Sequence, residues 1–326
     1  MTSLQNYRVV CARAPLRLSW AGGGTDIDAF AYRYGGCITS ATIARYVYVR
    51  AWKTEERAYI CYPPESTLFP AALGAQFPPA TVELWVDVPP RSGLGASGAI
   101  GVAVVAALNR LHGTIKAVYW GYPYADIAYK VETEHLGIPG GHQDQLAAIG
   151  GGFRYMEFGG HRYKVSPIGV APETIRDLEA SLILVFLHPR LSDSGSVQAD
   201  EVELIRRGDP KTIAALKWQK ELANEARRIL RHWEPQAFGG LLDEAWRVKK
   251  EQSPHVTNSF VDEVYEKARK LGALGGKLCG AGGGGYMMLF APGAEGPVIE
   301  GLKGMGLHPE SVSFTEKGLE IWGGAG

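Results

Sequence analysis

Hydrophobic and polar positions change rhythm several times along the chain, and each rhythm predicts an element. The first 50 residues read as strand, glycine turn, helix and strand, with Tyr46-Val47-Tyr48-Val49-Arg50-Ala51-Trp52 aromatic and β-branched. Thr81 to Val88 alternates apolar with polar side chains, a second strand that Pro89-Pro90 stops. Ser97 to Leu111 takes helical spacing with a small-residue face of Ala99, Val102, Ala103, Ala106 and Leu108. Tyr124 to Leu136 is a further helix, ended by Gly137, and Ala148 to Phe158 turns through three glycines into a strand. Leu182 to Leu187 is unbroken apolar chain, the signature of a buried strand. Asp200 to Lys250 is helical in period and charge and offers Leu216, Leu222, Ala226, Ile229 and Leu230 to a core. Phe260 to Leu271 is again helical, and a glycine-rich turn then leads into the strand Tyr286–Phe290. The pattern is α+β rather than a regular βαβ alternation, with a domain boundary near residue 180, giving units 1–180 and 181–326.

Composition narrows the function. Lys+Arg and Asp+Glu both number 34, so the formal charge is zero, which argues against a nucleic-acid binder in need of a basic face. No run approaches ~18 apolar residues, which argues against a membrane span. Met1 to Asn6 is polar and lacks the apolar segment of a signal peptide. Cys11, Cys37, Cys61 and Cys279 are widely spaced, without a metal-ligand pattern. They read as small buried hydrophobes of a reducing, cytoplasmic protein.

Glycine changes the picture most. The chain has 42, about 13% against a usual ~7%, with no repeat and no low-complexity tract. Thirteen fall in three clusters: Gly22–Gly24; Gly93, Gly95 and Gly98; and Gly275, Gly276, Gly280 and Gly282–Gly285. The middle cluster, Pro89-Pro90-Arg91-Ser92-Gly93-Leu94-Gly95-Ala96-Ser97-Gly98-Ala99, follows a strand and opens a helix. Backbone N–H groups there suit a phosphate, and Ser97 is placed to cap the helix or to reach a phosphate-bound cation. An ordinary tight turn is the alternative. The segment matches neither a Walker A loop nor a dinucleotide fingerprint.

Pro-x-x-x-Gly-Leu-Gly-x-Ser resembles the second motif of the GHMP kinases. Arg13-Ala14-Pro15-Leu16-Arg17-Leu18 with Ala21-Gly22-Gly23-Gly24-Thr25-Asp26 is similar to their first motif, and Lys277-Leu278-Cys279-Gly280-Ala281-Gly282-Gly283-Gly284-Gly285 to their third. The order is right and the match runs from residue 11 to 291. Within the family, the first motif and Gly140-Gly141-His142-Gln143-Asp144-Gln145 resemble the D-glycero-D-manno-heptose 7-phosphate kinases, with His142 in place of a usual Lys. Leu191 to Ser196 resembles a Ser-rich segment of that group only loosely.

The resemblance implies an N-terminal α/β domain with a left-handed βαβ unit and a C-terminal ferredoxin-like domain. It also implies an ATP-dependent sugar or sugar-phosphate kinase that uses Mg2+. Gly93, Leu94, Gly95, Ala96, Ser97 and Gly98 then cradle the ATP phosphates, with Ala96 replacing a family Ser and Gly98 loosening the first helical turn. Ser97 and Glu132 match the metal ligands, while Glu134 reads as solvated. Asp144 matches the base and Arg17 its cationic neighbour. Asp26 with Gly23, Gly24, Thr25, Gly282 and Gly283 is expected to bind the acceptor. A substrate phosphate has candidates in Arg33, His142, Arg154, His161, Arg162 and Lys164. Trp52, Tyr62 and Trp85 are candidate adenine neighbours, and Tyr119, Trp120, Tyr122 and Tyr124 form an aromatic cluster. A homodimer is compatible with all of this. Another alcohol or sugar (galactose, fucose or glucuronate) as acceptor, and a catalytically silent sensor, are the competing readings.

Overall fold

The computed structural model describes residues 8–116, 122–159, 162–189 and 194–324. Tyr119, Trp120, His161 and Leu191 to Asp193 lie outside them. The first half contains β1 (Val10–Ala21), α1 (Asp28–Tyr34), β2 (Gly36–Lys53), β3 (Ala58–Tyr62), α2 (Leu68–Gly74), β4 (Ala80–Val86) and α3 (Ala96–His112). It continues through α4 (Tyr122–Lys130), a π-helical turn (Val131–His135), α5 (Gln143–Gly150), β5 (Phe153–Gly159), β6 (Arg162–Pro167) and α6 (Pro172–Ser181). The second half has β7 (Leu182–Phe186), α7 (Ser194–Arg207), α8 (Pro210–His232), α9 (Pro235–Lys250) and α10 (Ser259–Lys270). It ends with β8 (Gly275–Leu278), β9 (Tyr286–Phe290), α11 (Glu295–Lys303), β10 (Pro309–Ser311) and β11 (Glu320–Gly323).

The larger sheet has strand order β11-β1-β2-β4-β3, with β5 joining β2 and β6 joining β5. The long β2 serves two neighbours, β5 along Gly36–Ala41 and β4 along Val47–Lys53. α3 lies on this sheet and is buried from Gly98 to Asn109, because its face of Ala and Val is apolar nearly all round. The smaller sheet, β10-β7-β9-β8, is antiparallel, and its order is that of a ferredoxin-like unit. Both its faces are covered. Leu182, Leu184, Met288 and Phe290 join the large core, while Ile183, Val185, Met287 and Leu289 pack with Val261, Val264, Val298 and Leu302. That explains why β7 and β9 read as unbroken apolar runs. Among the described residues no helix is long and apolar enough to cross a membrane.

Two expectations are corrected. The division at residue 180 is not clean, because β11 pairs with β1 (Val10 with Gly323, Arg13 with Glu320) and Phe314 bridges to Ile43. Trp20 meets Phe238 and Phe314 edge-on, at 5.4 and 5.9 Å, so one core unites β1, α9 and the C-terminal segment. The helix expected over Tyr124–Leu136 also changes type after Lys130: Leu136 N–H reaches back five residues to the Val131 carbonyl, at 3.0 Å.

Candidate active site

The glycine loop after β4 is held from below. Leu94 is fully buried, and its carbonyl accepts from Arg17 N–H at 2.9 Å. Gly95 occupies the left-handed region at the cap position of α3, and no side chain caps that helix. The first-turn N–H groups are therefore left for an anion. Ser97 is not the N-cap: it stands in the first turn, exposed, and its hydroxyl bonds to Glu132.

Arg17 ties this loop to a carboxylate. Its Nη1 donates to the Gly93 carbonyl at 2.8 Å, its Nε to Asp144 Oδ1 at 2.8 Å, and its Nη2 lies 2.6 Å from the same oxygen. The guanidinium is 4% exposed, so its charge meets Asp144 with little screening. Asp144 sits in the first turn of α5, which crosses α3 at Gly98. A Cβ on Gly98 would stand 2.5 Å from the Asp144 Cβ and 2.8 Å from its carbonyl carbon, so a residue without a side chain sets this crossing.

Glu132 lies on the π-helical turn beside Ser97 and accepts from Gln145 Nε2 at 2.8 Å. Burial, reinforced by the nearby Asp144 charge and opposed by the Ser97 and Gln145 hydrogen bonds, pushes its carboxyl up to about 7. Among the described residues no three His, Cys, Asp or Glu side chains converge as a metal site. One hydroxyl and one carboxylate next to a glycine loop at an uncapped helix N-terminus nevertheless fit Mg2+, which takes few protein ligands and completes its shell with phosphate and water oxygens. Glu134 is exposed, as expected.

The Gly22–Asp26 turn meets the loop before α5 through a bridge between Ile27 and Gly141. Asp26 is 2% exposed and accepts from the Gln143 backbone N–H at 3.1 Å and from its Nε2 at 3.2 Å. Burial pushes its carboxyl up to about 6, with the Gln143 N–H bond opposing and Asp144 reinforcing. Thr25 is a correction. It is fully buried, its hydroxyl donates to the carbonyls of Gly22 (2.7 Å) and Cys37 (3.0 Å), and it accepts from Cys37 N–H (3.1 Å), so it staples the turn and does not face a ligand. Helix α8 and the turn after α9 hold the same segment: Gly22 N–H donates to Gln219 Oε1, and Gln252 Nε2 donates to the Gly23 carbonyl, both at 3.1 Å.

The third glycine cluster closes the ring. Tyr286 N–H donates to the Ser92 carbonyl and Gly283 N–H to that of Val256, both at 2.8 Å. This places Gly282 and Gly283 between the glycine loop after β4 and the segment after α9. Lys249 Nζ donates to the Gly280 carbonyl.

Several expected side chains are engaged elsewhere. Arg154 bonds the carbonyls of Gly150 and Gly151 at the end of α5, and Lys164 is a surface partner of Glu157. Arg33 lies over the Tyr34 ring. His142 stacks on Tyr129 with centroids 3.5 Å apart, and burial holds its pKa down. Trp52 is buried in the core, while Tyr62 and Trp85 stack on each other at 5.8 Å. Tyr122 packs on Tyr163, and Tyr124 is buried with its hydroxyl on Asn109. Sequence reasoning missed Gln143, Gln145, Lys249 and Glu201. The two glutamines flank Asp144 in a segment already singled out, and that was their signal. Glu201 and Lys249 are submerged in the charge pattern of amphipathic helices.

The family model described as GHMP kinases N terminal domain matches residues 65–152, and that described as GHMP kinases C terminal matches residues 226–304. The chain is 30% identical to the D-glycero-alpha-D-manno-heptose 7-phosphate kinase of Campylobacter jejuni, covering 97% of this chain and 99% of that one. A crystal structure of a candidate sugar kinase from Campylobacter jejuni superposes with a TM-score of 0.74 at 28% identity, covering 97% and 98% of the two chains. A D-glycero-D-manno-heptose 1-phosphate kinase from Bacteroides thetaiotaomicron has the same fold, with a TM-score of 0.76 at 24% identity over 96% and 98%.

Proposed function

We propose, for a chain that belongs to the GHMP kinase family and is thereby an ATP-dependent phosphotransferase, that the acceptor is the anomeric hydroxyl of a heptose 7-phosphate. The observation that carries the chemistry is the Arg17 bridge, which joins Asp144 to the Gly93 carbonyl of the phosphate loop. Full-length similarity to a heptose 7-phosphate kinase supports the acceptor.

In this reading the loop Gly93–Gly98 and the start of α3 receive the ATP phosphates through backbone N–H groups. Asp144 accepts the proton of the acceptor hydroxyl as its oxygen attacks the γ-phosphorus, and ADP departs. Arg17 fixes the Asp144 carboxylate and adds positive charge beside the transferring group. Ser97 and Glu132 would hold Mg2+, which supplies neutralisation of phosphate charge when bound. Asp26, Gly23 and Gly24 take acceptor hydroxyls, and Gly282 and Gly283 close over the reacting end. We place the enzyme in the cytoplasm, in keeping with its free cysteines.

ADP release against a sugar panel tests the assignment. The heptose 7-phosphate is expected to exceed D-galactose, L-fucose and D-glucuronate in kcat/KM, with the new phosphate at the anomeric carbon by phosphorus NMR. Turnover of a free sugar with none of the heptose phosphate would reassign the acceptor. No turnover with any sugar, but ligand-dependent thermal stabilisation, would mark a sensor. For the metal, Ser97→Ala is expected to raise the Mg2+ concentration at half-maximal rate by about tenfold. An unchanged Mg2+ titration removes Ser97 from that role.

A further inference from the structure

Glu201, midway along α7, is 8% exposed, and its Oε1 has no hydrogen-bond partner. Taking a carboxylate out of water with one oxygen unpaired is costly and brings no packing benefit that a leucine would not bring better. Its position is specific. The carboxyl lies on the Gly22–Asp26 turn: a Cβ on Gly24, whose φ is +92°, would stand 2.4 Å from Glu201 Oε1. Asp26 is close enough to repel it, and Lys249, itself 7% exposed, attracts it from α9. Burial, the largest influence, pushes the Glu201 carboxyl up to about 7. One turn earlier on the same face of α7, Gln198 Nε2 lies 3.8 Å from where a Gly140 Cβ would stand. Helix α7 thus spans the two segments that carry Asp26 and Asp144.

We propose that Glu201 is an acceptor-recognition residue, whose unpaired carboxyl oxygen receives a hydrogen bond from a hydroxyl of a polyhydroxylated acceptor, facing Asp26 across the Gly22–Asp26 turn. The inference rests on the sugar-kinase reading and deepens it. In its charged form Glu201 accepts and does not donate, so the partner it then takes brings an O–H. A phosphate group brings negative charge instead, so the hydroxylated part of a sugar phosphate lies here and its phosphate lies elsewhere. Lys249, whose charge attracts Glu201, is itself bonded to the Gly280 carbonyl of the third glycine cluster. Glu201 takes no proton from the reacting hydroxyl, which is the task of Asp144.

Steady-state kinetics of Glu201→Gln test this, with D-glycero-D-manno-heptose 7-phosphate, D-galactose, L-fucose and mono-deoxy analogues of whichever sugar turns over. The expected result is an acceptor KM raised about tenfold or more, with the ATP KM within about twofold. One deoxy analogue, poor for the wild type, should lose nothing further in the variant, which a merely structural role would not produce. If Glu201→Gln does not fold, Glu201→Asp keeps the charge near Lys249, withdraws it by one methylene, and carries the same expected split of KM values. An unchanged acceptor KM, or equal rises in both KM values, overturns the role of Glu201 while leaving the sugar kinase intact. Absence of wild-type turnover with every sugar overturns the sugar reading and this inference with it.

Discussion

Asp144→Asn is expected to lower kcat by about 10²–10⁴-fold, the range of a lost general base, while the ATP KM moves only a few-fold. Asparagine keeps the shape of the side chain and can still accept from Arg17, so the geometry around Gly93 is largely preserved. What disappears is the ability to take the acceptor proton. The same substitution leaves the Arg17 charge, buried and bonded to the Gly93 carbonyl, without its counter-ion. That accounts for a modest ATP effect, because Arg17 also bonds the loop at Leu94. Rapid-quench measurement of the phosphoryl-transfer step separates the two contributions. Chemistry within about fivefold of wild type would take the base role away from Asp144.

Gly98→Ala is expected to be nearly as damaging, though it adds a single methyl group. The new Cβ would meet the Asp144 Cβ at 2.5 Å, and the Asp144 carbonyl carbon and Gln145 nitrogen at 2.8 Å. Two of these three atoms are backbone, so rotamer change does not relieve the clash and α3 must move from α5. A shift approaching 1 Å at Asp144 is expected to lower kcat by about 10²-fold, with about 1–3 kcal/mol of stability lost to overpacking. Helix propensity predicts the reverse sign, since Ala in a helix is favoured over Gly by about 1 kcal/mol. Thermal unfolding decides between them: a higher Tm with full activity would mean that the crossing is not as tight as described. Gly98 therefore does more than loosen the first helical turn. It allows Asp144 to approach the glycine loop.

The parts of this site that were legible in the sequence are those built by local backbone chemistry. The loop from Pro89 to Ala99 needs glycines where N–H groups must converge, and α3 needs small residues where it lies on the sheet, so both left a pattern. β7 and β9 were legible because each is buried on two faces and so loses its polar alternation. What was not legible depends on contacts far apart in the chain. β11 is four residues long, with one glutamate and one glycine among them, and finds its partner more than 300 residues earlier. Thr25 looks like a ligand residue beside Asp26 until Cys37 is seen to occupy its hydroxyl. The π-helical turn that presents Glu132 breaks no periodicity that a short window detects. Glu201 and Lys249 sit on amphipathic helices where a charged residue is usually solvated, and only the packing of α7 and α9 shows otherwise.

The pairing of β11 with β1 has a consequence for synthesis. The edge of β1 that β11 covers is made more than 300 residues before its partner. At about 5–20 residues per second that edge waits some tens of seconds before it is closed. During that interval it is an open template for strands of other nascent chains. The first sheet is therefore finished only once β11 has been made, and until then the edge of β1 is the place where shielding protects the nascent chain.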